Sequence, residues 1–365
     1  MDQKVIKVLG GIIAGFIVLI LILFLISSCG KKKYSYEKLE TKMKDIAKSY
    51  IEKGKVEKPK INNDEVVITL DDMLKNGDIE NLNKLFGKKK KETFECNGKV
   101  TVTNINNHLN YSTYLSCNNE YKTKRLAEEI LKNEKIVTEG IGLYNINNEY
   151  IYRGEIKNNY VSFNNNLYRI IKIFDDGTIR LINTNKINNV KWDNRYNPDV
   201  KKSDGINEYE LNSINSRLKD SLETVYDSYS DEAKSYIVSQ NVCIGKTTLQ
   251  TASKDRSQEC SKVYENQYTS LLNIYEYLDA SLDTNCKVAT DNPCRNYNWI
   301  RYQLKNTFLM AADASDSSKV FYIDSLSIKT VSASTISTIY PIIHITNKAN
   351  YVSGDGTESN PYKFV

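Results

Sequence analysis

Residues 8–26 form an apolar run without a charge, and after it the pattern changes to one of alternating and helical periodicities. At ~1.5 Å per residue the run nearly spans a ~30 Å hydrocarbon layer, so it predicts a membrane-crossing or signal segment rather than a buried soluble helix. Tyr36, Leu39, Met43, Ile46, Ala47 and Tyr50 then recur at helical spacing with lysines and acids between them, predicting an amphipathic helix over 35–52. Pro59 and the pair Asn62-Asn63 break it, and a short helix is expected over 69–76, with Thr69 as N-cap and Gly77 as its stop. Segments 94–104 and 109–117 alternate in the β manner around Ile105-Asn106-Asn107-His108, a hairpin signal, and 123–133 reads as helix through Leu126, Ile130 and Leu131.

From about residue 150 the texture is richer in strands. Segments 160–163, 167–174 and 178–182 predict strands, the last two joined at the turn Asp175-Asp176-Gly177. Leu211, Ile214, Leu218, Leu222 and Val225 predict one helix, and Leu271, Leu272, Tyr275, Leu278 and Leu282 another. Short strands are expected over 308–312, 320–323 and 342–345, the last interrupted only by His344 and therefore read as a buried strand central to its domain. Strands and helices do not alternate regularly, which favours α+β over a doubly wound sheet.

Composition adds the compartment. Of seven cysteines, Cys29 closes the apolar run and the other six fall into sequence-local couples: Cys96 with Cys117, Cys243 with Cys260, Cys286 with Cys294. Each couple lies within one expected structural unit, and closing such a loop stabilises by on the order of 2–4 kcal/mol, so three disulfides and an oxidising compartment are expected. Zinc is the competing reading, but there is no Cys-x-x-Cys and the two histidines, His108 and His344, are far apart in sequence. The net charge of +5 accompanies abundant Lys, Asn, Ile and Tyr, a bias of AT-rich coding rather than a nucleic-acid footprint; no nucleic-acid partner is expected.

The N-terminus supports two readings. Lys4 and Lys7 precede the apolar run, and Ile26-Ser27-Ser28-Cys29 resembles a bacterial lipobox, which implies lipidation of Cys29; a retained transmembrane helix is the alternative, and both stay open. Lys31, Lys32 and Lys33 follow the run and by the positive-inside rule would be cytoplasmic, but the paired cysteines weigh towards an extracytoplasmic chain. Gly11 and Gly15 offer a small-xxx-small pair, and the oligomeric state is left open.

Two stretches carry a resemblance. Residues 160–173, Tyr-Val-Ser-Phe-Asn-Asn-Asn-Leu-Tyr-Arg-Ile-Ile-Lys-Ile, with Asp176-Gly177-Thr178-Ile179-Arg180-Leu181-Ile182, resemble the opening hairpin of an uncharacterised domain of bacterial surface proteins. Tyr340-Pro341-Ile342-Ile343-His344-Ile345 and the terminal 354–362 turn resemble its closing strand and end. The resemblance covers 150–365 and implies a fold similar to formylglycine-generating (sulfatase-modifying) proteins and C-type lectins. It does not carry their chemistry: Cys286 and Cys294 sit among polar residues as structural partners, and no Glu-Pro-Asn or Gln-Pro-Asp motif is present to bind calcium. Residues 34–122 resemble a pilin-like layout of helix, short helix and disulfide-bearing sheet, although Gly15-Phe16 is followed by Ile20 where a pilin precursor carries Glu.

Chemistry-bearing motifs are sparse. Gly245-Lys246-Thr247 lacks the earlier glycine of a phosphate loop, where Gln240 stands. His344 lies in an apolar strand and reads as structural, and Asp355 in Ser353-Gly354-Asp355-Gly356 reads as part of a turn rather than a calcium loop. No metal, cofactor or catalytic residue is expected. Trp192, Tyr196, Tyr297, Trp299 and Tyr302 fall in or near expected loops and are the candidate ligand-binding residues, as platforms for a sugar or clamps for a peptide. The expected organisation is an anchor over 1–33, a pilin-like module over 34–122, a connecting helix and linker over 123–149 and a C-type-lectin-like domain over 150–365. The expected function is a membrane-anchored, extracytoplasmic binding or adhesion protein of a Gram-positive-type bacterium, without catalysis, directed at glycan, peptidoglycan or a surface protein. A cell-envelope enzyme and a pilus-like structural subunit are the alternatives.

Overall fold

The computed structural model describes residues 34–88, 94–200, 203–324 and 327–365. The apolar run and Cys29 lie outside the described residues, and no helix among those described is long and apolar enough to cross a membrane. The chain is mixed α+β, mostly sheet with few and short helices. The described residues divide into two compact units: those up to Val56 and those within Ile68–Val100 and Thr113–Lys122 make one, and those within Glu57–Val67, Thr101–Ser112 and Thr123–Val365 the other.

In the first unit the helix Tyr36–Glu52 starts where Ser35 Oγ accepts from Lys38 N, and it buries Leu39, Met43, Ala47 and Tyr50. The large ones, Leu39 and Met43, each contribute roughly 1.5–3 kcal/mol by leaving water. Strands β1 (Glu65–Thr69), β2 (Cys96–Ile105), β3 (His108–Cys117) and β4 (Tyr121–Lys122) follow one another in a single sheet, of which Glu65–Val67 and the turn end Thr101–Ser112 are counted with the second unit. The β2–β3 turn is Asn106-Asn107, both at positive φ, the conformation a two-residue hairpin demands and Asn tolerates. Gly98 in β2 is small for a packing reason: a Cβ there would meet Met43 Cε at 2.9 Å and Leu115 Cδ1 at 3.1 Å. The helix Leu70–Lys75 carries the expected cap at Thr69, completed into a capping box by Asp72. Cys96 and Cys117 are bonded at the open end of the hairpin.

The second unit is built on two sheets. The first contains β5 (Gly142–Ile146), β6 (Glu149–Arg153), β7 (Tyr160–Phe163), β8 (Asn166–Ile173) and β9 (Ile179–Asn183). The second begins with β10 (Ile187–Lys191). After it come the small hairpin β11 (Glu210–Leu211) and β12 (Ile214–Asn215), the helix Arg217–Asp227, β13 (Gln240–Cys243), β14 (Lys246–Thr247) and β15 (Val263–Gln267). Then follow the helices Ile274–Asp279 and Trp299–Gln303, β16 (Thr307–Asp313), β17 (Lys319–Ile323), β18 (Ile328–Ser332), β19 (Ile336–Ile339) and β20 (Ile342–Ile345). The first sheet runs β20-β9-β8-β6-β5 with β7 also on β8, and the second runs β10-β19-β16-β17-β18 with β14 on β16. Strand alternation lets β16 serve two cores, Leu309 and Ala311 entering one and Phe308 and Met310 the other.

Several expectations change. Leu211 and Ile214 do not begin the helix; Asn212-Ser213 between them take positive φ and fold β11 onto β12, leaving Ile214 exposed. The later helix is short, Ile274–Asp279, with a capping box of Asn273 and Glu276, so Leu271, Leu272 and Leu282 lie beyond it. Residues 123–149 hold the helix Leu126–Asn133 and strand β5, which joins the first sheet through β6. Strand β20 is fully buried but stands at the end of its sheet rather than its centre. Its outer edge is covered by bridges from Ser270 to Ile342 and from Ile237 to Ile345, with Val238 N donating to the His344 carbonyl.

A polar cleft built on three strands

The candidate aromatic residues do not form one site. Trp192 and Trp299 are each 1% exposed and belong to different cores. Trp299 Nε1 donates to the Tyr152 carbonyl at 3.1 Å, and the Arg169 guanidinium lies over its ring at 4.3 Å. Neither indole offers a face to a ligand. Tyr196, Tyr297 and Tyr302 are exposed, and the Tyr302 hydroxyl donates to Glu155 Oε1 at 2.9 Å.

The other motifs have structural roles. Cys243–Cys260 and Cys286–Cys294 are bonded, so all six cysteines after Cys29 pair as their spacing predicts. Gly245 packs so closely on the Gln258 carbonyl that a Cβ would lie 2.2 Å from it, and Lys246 Nζ is held by Glu208 at 2.7 Å. Asp355 Oδ1 accepts from Thr357 N and Oγ1, closing the terminal turn.

A cleft of about 1120 Å³ opens in the second unit over one face of the first sheet. Its floor is a row of directly opposed residues: Lys172 of β8 faces Arg180 of β9, and Arg180 faces His344 of β20. The row exists because of a bulge. Ile170 opposes Leu181, and the next pair is Lys172 with Arg180, so the extra Ile171 steps the register and sets a lysine rather than an isoleucine against the arginine. Two cations opposed across a sheet repel, and burying them would cost several kcal/mol each without partners.

The partners come from outside the sheet. Glu276, on the helix Ile274–Asp279, accepts from Arg180 Nη2 at 2.9 Å and lies 3.8 Å from Lys172 Nζ. Arg180 Nε is 2.7 Å from Glu276 Oε1 but its N–H is not aimed there, so that contact is one of charge rather than a directed hydrogen bond. Gln240 of β13 accepts from Arg180 Nη1 at 2.6 Å. Glu149, after the Asn147-Asn148 turn of the β5–β6 hairpin, takes Lys172 at 3.1 Å and Arg256 at 3.1 Å. Burial raises the Glu149 carboxyl, and Lys172 and Arg256 outweigh it and hold the group below its ordinary value.

His344 is 3% exposed and lines the cleft, its Nε2 lying 3.5 Å from Arg180 Nη1. A guanidinium nitrogen only donates, so Nε2 is the acceptor and the proton of the neutral ring sits on Nδ1, which has no partner. Burial, then Arg180 and Lys172, push the ring's basicity well below that of an ordinary histidine. Behind the wall residues Cys260, Asn273 and Tyr275, the buried Glu259 carboxylate accepts from Asn273 Nδ2, Ile274 N and Tyr275 N at the start of the helix. Burial nevertheless raises it to about 7, the bonds and then Glu276 acting after burial. The Cys243–Cys260 disulfide lies in the same wall, and the exposed Asp175 and Asp176 of the β8–β9 turn line the opposite side.

Sequence reasoning reached His344 but not the cleft. The usable signal was the charge of Lys172 and Arg180 inside otherwise apolar strand runs. Comparison with protein-family models, with curated proteins and with solved structures finds no match to this chain.

Proposed function

We propose that the chain is a membrane-anchored, extracytoplasmic binding protein whose second unit takes a polar ligand in the cleft over Lys172, Arg180 and His344. The observation that carries this reading is the cleft itself: about 1120 Å³ of concave space, with a floor of buried charges held by fixed partners. Side chains locked in that way present donors and acceptors without reordering when a ligand arrives, which is what affinity for a polar molecule requires. The apolar run at the N-terminus and the three disulfides support an anchored chain in an oxidising compartment. The described cysteines are all bonded, which favours binding over thiol chemistry of the formylglycine-generating kind. The sheet-rich second unit with long irregular connections is compatible with the C-type-lectin-like reading, and the helix-plus-sheet first unit with the pilin-like one.

Two measurements test it. Protease applied to intact cells should remove the chain after residue 33; survival until the membrane is permeabilised overturns the orientation. The full chain in detergent, applied to an array of glycans and peptidoglycan fragments, should bind a subset, and Arg256→Ala at the cleft margin should weaken that binding. Binding that ignores the substitution moves the site elsewhere.

A further inference from the structure

Beside the cleft floor lies a second, smaller pocket of about 350 Å³, and Asn147, Glu149, Lys172, Arg256 and Tyr275 line both. Most of its charges are already answered: Lys172 has Glu149 and Glu276, Arg256 has Glu149, and the exposed Asp255 takes the amide and hydroxyl of Ser257. Two charges are left over. The Lys254 ammonium and the Asp279 carboxylate line this pocket, yet neither makes a hydrogen bond or ion pair among the described residues, with the other or with any third group. Both residues are partly buried, and neither polar end is sealed off from solvent. Burial is the largest influence on each, pushing Asp279 up to about 6 and Lys254 down. The rest of the wall is apolar, made by Ile146, Ile151 and Ile171, the last being the extra residue of the β8 bulge.

An unpaired donor, an unpaired acceptor and an apolar wall around one pocket are the complement of an acetamido group. Its carbonyl accepts from Lys254, its N–H donates to Asp279 and its methyl packs on the isoleucines. From this, and on the reading of the cleft as a binding site, we infer that the ligand is an N-acetylated oligosaccharide, lying in the cleft with one acetamido group in the side pocket. The neutral group gains two charge-assisted hydrogen bonds and sheds no charge of its own from water. An amino-acid head would answer the same pair only by stripping the hydration from two ions, the larger cost. A peptide amide carries the same donor and acceptor, but its chain continues from both ends, whereas an acetamido group ends in a methyl and fits a side pocket. The cleft floor suits a neutral chain as well, since Lys172 and Arg180 are balanced by Glu149 and Glu276.

The test is calorimetric titration of the full chain in a sugar-free detergent, up to about 10 mM ligand, a range that covers millimolar affinity. The ligands are the trimer of N-acetylglucosamine, its de-N-acetylated counterpart, cellotriose, leucine and N-acetylalanine amide. The acetylated trimer is expected to saturate, and the two trimers without acetyl groups to bind at least about tenfold more weakly, because two charge-assisted bonds are lost. Lys254→Met and Asp279→Ala should each bring the acetylated trimer down towards cellotriose and leave cellotriose unchanged, with thermal melting run alongside to verify folding. Lys254→Met, at a partly exposed position, carries the test if Asp279→Ala does not fold. Equal binding of the three trimers, tighter binding of leucine or N-acetylalanine amide, no heat with the acetylated trimer, or a Lys254→Met chain that binds it as before overturns the inference. If array binding sensitive to Arg256→Ala persists in any of these cases, the cleft remains the site and only the ligand class is wrong.

Discussion

At the scale of residues the cleft floor is a balance of buried charges, and two consequences can be measured. Glu276 answers both Arg180 and Lys172, so Glu276→Gln leaves buried Arg180 without its carboxylate partner, opposed to a Lys172 that keeps only Glu149. Breaking a buried pair in this way costs about 3–5 kcal/mol, and thermal or urea unfolding of the variant should report a loss of that order. Glu259 gives a pH dependence of defined sign. Its folded value is raised from 4.5 to about 7, so the folded state binds the proton more tightly than the unfolded one. Its stabilisation is full below about pH 4.5 and is lost as pH rises through about 7, a change on the order of 3 kcal/mol at about 1.4 kcal/mol per pH unit. Asp279, raised to about 6 chiefly by burial, acts in the same direction. His344, held well below an ordinary histidine by burial, acts in the opposite direction at the acid end. The Glu259 contribution is therefore read as a difference: the stability of Glu259→Gln relative to the unsubstituted chain should rise from pH 5 to pH 8, whatever that variant's absolute stability. A difference that stays flat across that range would remove Glu259 as a source of the pH dependence.

At the scale of elements, what the sequence made legible was whatever local chemistry decides. The helix Tyr36–Glu52, the capped helix at Thr69 and the hairpins at Asn106-Asn107 and Asp175-Asp176-Gly177 follow from periodicity, caps and turn residues, and they stand where expected. The same turn chemistry was present but unread at Asn147-Asn148 and Asn212-Ser213, all at positive φ; reading it gives the β5–β6 hairpin and starts the helix no earlier than Arg217. The cleft was harder, because it depends on a bulge at Ile171 and on carboxylates brought from more than twenty residues away, neither of which leaves a periodic trace. The aromatic candidates failed for a related reason: loop position does not imply exposure, and both tryptophans plug the cores beneath their loops. The caps make a direct test. Ser216 Oγ accepts from Lys219 N at the start of the helix Arg217–Asp227, so Ser216→Ala should cost about 1 kcal/mol of unfolding free energy. A loss below a few tenths would mean that packing of Leu218 and Leu222 alone fixes that helix.

At the scale of the whole chain, order comes from two sources that reduction separates. Strands β8, β9 and β20 are held by backbone ladders and by buried Ile170, Ile173, Leu181, Ile182, Ile342, Ile343 and Ile345, with no cysteine among them. The segments closed by Cys243–Cys260 and Cys286–Cys294 contain only two-residue β14 and short 3₁₀ turns, and besides the crosslinks they are held by a few backbone bonds, such as Ala289 N to the Ala252 carbonyl, rather than by an extended ladder. Opening a crosslink frees chain entropy on the order of 2–4 kcal/mol, enough to release a loop and too little to unfold a sheet with a large apolar core. Mild reduction of the full chain, followed by amide hydrogen exchange, should therefore raise exchange across 244–262 and 283–297 while β8 and β9 keep their protection. Because Cys243 and Cys260 line the cleft wall, ligand affinity should fall under the same conditions even though the floor persists. Loss of protection in β8 and β9 in parallel with the loops would show that the disulfides hold the sheet itself, and would reverse this assignment of which source does what.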